Sequence, residues 1–125
     1  MRALDTTVAV DYLRGRPPAV ELVEGLIERA EVIVASEVVR FELLAGVREH
    51  ARSRLELFCS VLSWVPVDEE VARAGGELAR RYRAAFAGID DPDYLIAATT
   101  LLLDAELLTT NVKHFPMLED LSPAY

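Results

Sequence analysis

A chain of 125 residues suits one domain, spanning residues 1–125, with a hydrophobic core and little room for a second. Its 52% apolar and 27% charged residues exclude a disordered chain, and its net charge of −8 argues against bulk electrostatic attraction to nucleic acid. No apolar run reaches the roughly 18 residues that a membrane span needs.

The first half of the chain alternates strand-like runs with helical segments. A short strand in "RALDT" precedes a helix in "TVAVDYLRG", with Thr6 or Thr7 as its cap and Gly15 as its stop. A second helix, "RPPAVELVEGLIERA", begins with prolines, which a first helical turn tolerates. The β-branched run "EVIVAS" predicts a buried strand, and "SEVVRFELLAGVREH" returns to helical spacing with Ser36 as cap.

The second half continues the alternation. An amphipathic helix in "ARSRLELFCSVLS", a short strand in "WVPV" and a helix in "DEEVARAGGELARRYRAAF" lead to a further helix that begins at "DPDYL". The last strand is predicted in "AELLTTN", and the tail "VKHFPMLEDLSPAY" is predicted to be irregular. Because the strands are continuous apolar runs separated by helices, the pattern predicts an α/β fold with a parallel sheet covered on both faces.

The cysteine content and the first residues indicate a cytoplasmic protein. The single cysteine, Cys59, excludes an internal disulfide framework and suits a reducing compartment. It lies in "LELFCSVL", where we expect a buried thiol with no catalytic role. The start "MRALDTTVAV" has no long apolar core before a cleavage site, so we expect no signal peptide.

Polar residues stand where the predicted strands end. Asp5 ends the first strand, Ser36 the second and Asn111 the last. Functional groups of parallel α/β folds gather just beyond the carboxyl ends of strands. Taken alone, Asp5 is typical of a turn or a helix cap and Asn111 of a turn, although the Asn111 carbonyl could also orient a water or ligate a hard cation.

Glu42 interrupts the apolar face of its predicted helix. Its neighbours three and four positions away are all apolar or small: Val38, Val39, Ala45 and Gly46. A carboxylate buried without partners would cost several kcal/mol, so Glu42 should be paired, protonated or bound to a metal. A salt bridge with an arginine and a metal site are both open.

Two further residues, Asp93 and Asp11, have a structural explanation beside a functional one. Asp91 as N-cap with Pro92 at the first helical position makes a good helix start, which explains Asp93 only in part. Asp11, on the first helix, is expected to be solvated, with a supporting role in the site as the alternative.

Together these residues predict a metal site. Asp5, Asp93 and Asn111 should meet at one edge of the sheet, and Glu42 should point inward from its helix. Three carboxylates in mutual reach do not all stay ionised unless a cation neutralises them. Oxygen ligands without His or Cys select Mg²⁺ or Mn²⁺, and such a site suits attack of water on a phosphodiester.

The motifs that carry these residues resemble PIN-domain proteins and, within that family, the VapC-type toxins of toxin–antitoxin pairs. The matching pieces occur in family order and cover nearly the whole chain: "LDTTVAVDYLRG", "SEVVRFELLAGV", "DPDYLIAATTLLLDAELLTTN" and "NVKHFP".

The resemblance implies a three-layer α/β/α sandwich with a mostly parallel sheet of four or five strands. It also implies an Mg²⁺- or Mn²⁺-dependent endoribonuclease with Asp5, Glu42 and Asp93 at the acidic positions and Asn111 at the fourth. The asparagine removes one negative charge, so we expect one well-occupied metal site. A VapB-type antitoxin, an RNA substrate and a homodimer, or a larger toxin–antitoxin assembly, are the implied partners. Arg40 stands where the family has a smaller or less polar residue, so it either reaches a phosphate or faces solvent.

Three other functions remain to be weighed. A phosphatase with Asp5 as nucleophile would usually carry an aspartate two residues later, where this chain has Thr7, and its only late lysine is Lys113. A dinucleotide-binding domain would need a glycine-rich loop after the first strand, which is absent. A catalytically weak PIN-like module that acts through its antitoxin is the main alternative, and the intact acidic set argues against it.

Overall fold

Four parallel strands form the centre of the molecule in the computed structural model, which describes residues 1–125. They are β1 (Arg2–Leu4), β2 (Ile33–Ser36), β3 (Ser63–Val65) and β4 (Glu106–Leu108). The strands are hydrogen-bonded in the order β3-β2-β1-β4, so the first strand lies between β2 and β4. All four strands are shorter than the sequence runs that predicted them.

Six α-helices flank the sheet: α1 (Thr6–Leu13), α2 (Pro17–Glu28), α3 (Glu37–Gly46), α4 (Arg52–Cys59), α5 (Glu69–Tyr82) and α6 (Asp91–Leu102). Two short 3₁₀ turns, Glu49–Ala51 and Val112–His114, complete the regular structure. The predicted α/β/α sandwich with a parallel sheet is confirmed, with four strands. None of the helices combines the length and apolar composition needed to cross a bilayer.

The start of α1 differs from the prediction. Its N-cap is Asp5, with extended backbone angles, and Thr6 is already helical. The prediction that Thr6 or Thr7 caps this helix is wrong, because both hydroxyls bind acidic side chains instead. Gly15 ends the helix as predicted: its φ of +74° is one that side chains other than glycine rarely adopt.

The start of α6 also lies one residue earlier than predicted. Asp90, not Asp91, is the N-cap, and Asp91 and Pro92 occupy the first two helical positions. A proline there removes no hydrogen bond, because the first N–H groups of a helix have no internal acceptor. Asp93 therefore falls at the third helical position, and its carboxylate accepts a long hydrogen bond of 3.4 Å from the Asp90 N–H.

The core packs between the helices and the sheet. All four residues of β2 are buried, and the largest fully buried side chains include Tyr94 and Phe115. Phe115 belongs to the tail that was predicted to be irregular; apart from the turn Val112–His114 the tail has no regular structure. Cys59 is buried and unpaired as predicted, and burial raises the pKa of its thiol.

Candidate active site

The neighbouring strands β1 and β4 bring the beginning and the end of the chain to one edge. Asp5 directly follows β1, and its N–H donates to the Leu108 carbonyl at 3.0 Å. The Asp5 side chain is buried, with its residue 3% exposed. Its Oδ2 accepts hydrogen bonds from the hydroxyls of Thr109, at 2.7 Å, and Thr7, at 3.0 Å. Two hydroxyls from opposite ends of the chain therefore hold one oxygen of this carboxylate.

Glu42 reaches the same region from α3. This helix begins directly after β2, where Ser36 caps it by accepting a hydrogen bond from the Val38 N–H. The Glu42 side chain is half-buried, and its Oε1 accepts a 2.7 Å hydrogen bond from the Thr6 hydroxyl. The arginine salt bridge, one of the two alternatives that the sequence left open for Glu42, is absent, and a hydroxyl donor holds this carboxylate.

Asp93 lies in the first turn of α6, and its side chain is mostly buried. Its Oδ2 accepts the long bond from the Asp90 N–H and lies 2.9 Å from Nδ1 of His114. His114 belongs to the 3₁₀ turn that follows Asn111. The carboxylate is therefore held by α6 itself and by the tail of the chain.

The three carboxylates are close enough to influence one another's ionisation. Burial raises the pKa of Glu42; the Thr6 hydrogen bond opposes this shift, and the negative charges of Asp5 and Asp93 add to it. Burial likewise raises the pKa of Asp93; the bond and charge of His114 oppose the shift, and the charge of Asp5 adds to it. The site thus concentrates negative charge that no arginine or lysine neutralises by a salt bridge.

Each carboxylate has one oxygen bound to the protein and one oxygen without a hydrogen bond. Asp5 and Asp93 use Oδ2, and Glu42 uses Oε1. The remaining oxygens are Oδ1 of the two aspartates and Oε2 of Glu42. They are hard ligands of the type that Mg²⁺ and Mn²⁺ prefer, so the donor set fits a divalent cation.

The carboxylates do not form a closed cage. No three Asp, Glu, His or Cys side chains are grouped tightly enough to enclose a cation without moving. Mg²⁺ usually keeps several waters and takes only one or two protein carboxylates directly, so this geometry is compatible with such an ion.

Asn111 lies at the same edge of the sheet but, contrary to the prediction, does not end the last strand. The last strand ends at Leu108, and Asn111 instead precedes the turn Val112–His114. Its backbone N–H donates to the Thr109 hydroxyl at 2.9 Å, while its side chain makes no hydrogen bond to the three carboxylates. The structure therefore places Asn111 beside the acidic group without joining it to that group.

The two residues with open roles both have structural partners. Asp11 is not the solvated residue that we predicted: its carboxylate accepts a 2.6 Å hydrogen bond from the Tyr125 hydroxyl and pairs with Arg16 at 3.6 Å. Arg40 pairs with Glu37, and its guanidinium lies 4.0 Å from the ring centroid of Trp64. Arg40 thus packs on Trp64 of β3 and pairs with Glu37 while its side chain stays 33% exposed, and it makes no contact with the acidic group.

Sequence reasoning missed the donors that hold the carboxylates. Thr6 and Thr7 were interpreted as helix caps, and Thr109 and His114 were not singled out. The available signal was the hydroxyls in "DTT" and "LTTN", which flank residues already predicted to lie at the site.

Comparison with known proteins places the chain in the family that its sequence motifs resemble. The family model for the PIN domain matches residues 2–118. The chain is 60% identical over 125 residues to ribonuclease VapC19 of Mycobacterium tuberculosis, covering all of both chains. It is 34% identical to ribonuclease VapC10 of the same organism, covering all of this chain and 93% of the relative.

Solved structures agree in fold. VapBC2 from Rickettsia felis, bound to a DNA fragment from its promoter, matches with a TM-score of 0.81 and 25% identity over 96% of this chain and 94% of that one. A toxin–antitoxin complex from Klebsiella pneumoniae matches with a TM-score of 0.82 over 100% of this chain and 98% of that one. At 23% identity, the second match shows the fold alone.

Proposed function

The chain belongs to the PIN domain family and, within it, to the VapC group, and on that basis we propose that it is the ribonuclease toxin of a type II toxin–antitoxin pair. The proposal is a metal-dependent endoribonuclease that hydrolyses RNA phosphodiesters. The relatives named ribonuclease VapC19 and VapC10 support the activity, and the solved VapBC complexes support an antitoxin partner.

The observation that carries the catalytic proposal is the arrangement of Asp5, Glu42 and Asp93. These side chains come from three different elements, sense one another's charge, and each keep one oxygen without a hydrogen bond. A bound Mg²⁺ or Mn²⁺ would be held by these residues and would supply Lewis acidity toward water and shielding of phosphate charge.

The chain's own residues prepare the site by fixing the carboxylates. Thr7 and Thr109 hold Asp5, and Thr6 holds Glu42, so that the uncommitted oxygens keep a set orientation. Preorganised groups of this kind do not have to reorient during the reaction. We assign Asn111 to the rim of the site, where its neutral amide can orient water or a phosphate oxygen, and its lack of charge favours a single metal.

Metal binding and RNA cleavage by the purified chain test this function. Calorimetry near neutral pH should detect Mg²⁺ or Mn²⁺ binding, and the metal should raise the melting temperature because it binds only the folded state. Asp93→Asn should remove most of that rise. A chain that binds no divalent cation would refute the catalytic proposal.

A matched pair of variants sharpens the cleavage assay. Glu42→Gln should abolish most RNA cleavage, while Glu24→Gln makes the same change on the exposed face of α2 and should leave cleavage unchanged. If the metal-loaded parent does not cleave RNA, the alternative of a binding module that acts through its antitoxin is favoured. Size-exclusion chromatography in the same series tests the proposed homodimer.

The proposed antitoxin contact lies on α3 and α4. These neighbouring helices expose large apolar side chains, among them Phe41, 67% exposed, and Leu57, 72% exposed. The acidic site in a chain of net charge −8 attracts a cationic side chain, and arginine matches a carboxylate with two parallel hydrogen bonds. We therefore propose that a helical antitoxin segment covers this surface and inserts an arginine or lysine toward Asp5 and Asp93.

Co-expression with the small open reading frame beside the gene tests this contact. The complex should associate rapidly at low salt and more slowly as salt screens the charges. Replacing the antitoxin's inserted basic residue with alanine should leave much of the apolar docking intact and restore RNA cleavage. A chain that is not toxic alone and co-purifies with no neighbouring product would overturn the proposal.

A further inference from the structure

His114 lies outside the acidic set but contacts it directly. Its Nδ1 is 2.9 Å from Oδ2 of Asp93. Because an ionised carboxylate only accepts hydrogen bonds, Nδ1 must carry the hydrogen and donate it. The Asp93 side chain is 16% exposed and that of His114 is 36% exposed, so the pair is largely shielded from water.

The backbone around His114 is fixed by hydrogen bonds and by the next side chain. The His114 N–H donates to the Asn111 carbonyl and the Phe115 N–H to the Val112 carbonyl, both at 3.0 Å. The next side chain, Phe115, is 1% exposed and anchors the turn in the core. The imidazole therefore extends from a fixed backbone position when it contacts Asp93.

The hydrogen bond determines which oxygen of Asp93 remains available. The other donor to this carboxylate, the Asp90 N–H, acts on the same Oδ2 at 3.4 Å and is too long to hold it firmly. Without the imidazole, the carboxylate could rotate and exchange its two oxygens. Thr7 and Thr109 hold Asp5 in the same way, and Thr6 holds Glu42.

We propose that His114 is a positioning residue of the active site, which holds Oδ2 of Asp93 so that Oδ1 is the oxygen left available to a divalent cation. This inference rests on the proposed metal-dependent function and adds to it a residue that acts through its hydrogen bond to Asp93. Groups that hydrogen-bond to metal ligands typically contribute 10- to 100-fold in metal affinity, so an effect on the order of 10- to 100-fold is expected here.

The competing explanation is that His114 only joins the tail to α6. A structural role predicts that its loss lowers the melting temperature of the metal-free protein and leaves the affinity of the folded protein for Mn²⁺ unchanged. A positioning role predicts weaker Mn²⁺ binding by the folded protein. The measurement is therefore the Mn²⁺ dissociation constant by calorimetry at a temperature where every variant is folded.

Three substitutions separate these explanations. His114→Phe keeps a ring and removes the donor, and it should weaken Mn²⁺ binding about 10- to 100-fold. His114→Asn places an amide N–H near the position of Nδ1 and should recover most of the affinity. His114→Gln carries its amide farther from the backbone and should not recover it. The control is His50→Phe, at an exposed position in the turn Glu49–Ala51, which should bind Mn²⁺ like the parent.

The outcomes distinguish this inference from the proposed function. If the parent binds Mn²⁺ and His114→Phe binds it equally well, His114 is not a positioning residue while the metal site stands. If the parent binds no Mn²⁺, the proposed function fails and this inference with it. If His114→Phe does not fold, the asparagine and glutamine variants decide, because equal affinities for these two would overturn the inference.

Discussion

Replacing Asp5 with asparagine tests whether the acidic residues repel one another in the metal-free protein. The amide oxygen of the introduced side chain could still accept from Thr7 and Thr109, so the change removes the charge and little else. Weakening two charge-assisted hydrogen bonds costs about 1 kcal/mol each. Asp5 is 3% exposed as a residue, so removing its charge relieves the desolvation of the carboxylate and its repulsion by Glu42 and Asp93, together on the order of a few kcal/mol.

The relief of desolvation and repulsion exceeds the loss of hydrogen-bond strength. The free energy of unfolding of metal-free Asp5→Asn should therefore be higher than that of the parent by about 1–2 kcal/mol. For a domain of this size that is roughly 4–8 °C in melting temperature. With divalent metal bound, the parent should be the more stable of the two proteins. Metal at one hundred times its dissociation constant adds about 2.7 kcal/mol to the parent's free energy of unfolding. It should add little to that of Asp5→Asn, which lacks one ligand.

The assay is thermal unfolding of both proteins with and without Mg²⁺, beside RNA cleavage, which Asp5→Asn should reduce by orders of magnitude. The result that would refute the reasoning is a metal-free Asp5→Asn protein clearly less stable than the parent. Asp5 would then act mainly as the cap of α1, although its side chain makes no capping hydrogen bond in the structure.

Three further predictions concern single positions. Burial raises the pKa of Glu42 above its value in the unfolded chain, so the contribution of Glu42 to metal-free stability should be greatest below about pH 4 and be lost as pH rises through the folded pKa; urea titration should therefore show Glu42→Gln gaining stability relative to the parent over that range. The buried Tyr94 hydroxyl has no hydrogen-bond partner, so Tyr94→Phe should raise the free energy of unfolding by about 1 kcal/mol. Gly76→Ala, whose Cβ would meet no atom within 4 Å, should stabilise α5 by about 1 kcal/mol, and Gly75→Ala should gain less because its Cβ would lie 3.0 Å from Cδ2 of Leu95.

Each of these has a clear contrary outcome. A parent and a Glu42→Gln protein with the same pH dependence would show that Glu42 ionises as easily in the folded chain as in the unfolded one. A destabilised Tyr94→Phe would reveal a hydrogen-bond partner for the hydroxyl. Equal gains at Gly75 and Gly76 in thermal unfolding would show that Leu95 moves aside at no cost.

The position of the acidic residues could be predicted because simple rules govern it. Parallel strands place their carboxyl ends at one edge of the sheet, and this rule located Asp5. Helical spacing showed that Glu42 places a charge on an apolar face. The predicted helix start placed Asp93 in a first turn, and the resemblance to PIN-domain proteins assigned it to the acidic set. These rules depend on local periodicity, so a single sequence is enough to apply them.

The donors that orient the acids could not be predicted in the same way. The Thr109 hydroxyl reaches Asp5 across 104 positions, and His114 reaches Asp93 across 21. Which side chain meets which oxygen depends on tertiary packing to a fraction of an ångström, and periodicity carries no information about it. The same limit explains Asp11, whose partner Tyr125 lies 114 positions away.

The central position of β1 has a consequence for synthesis of the protein on the ribosome. β1 is translated well before its neighbour β4, which begins at Glu106, and Leu4 pairs with Leu108. At roughly 5–20 residues per second, one edge of β1 waits about 5–20 s for its partner to be translated. The acids are likewise distributed from Asp5 to Asp93, with the Thr109 hydroxyl supplied later still. A nascent chain therefore cannot assemble the site before Asp93 and Thr109 have been translated.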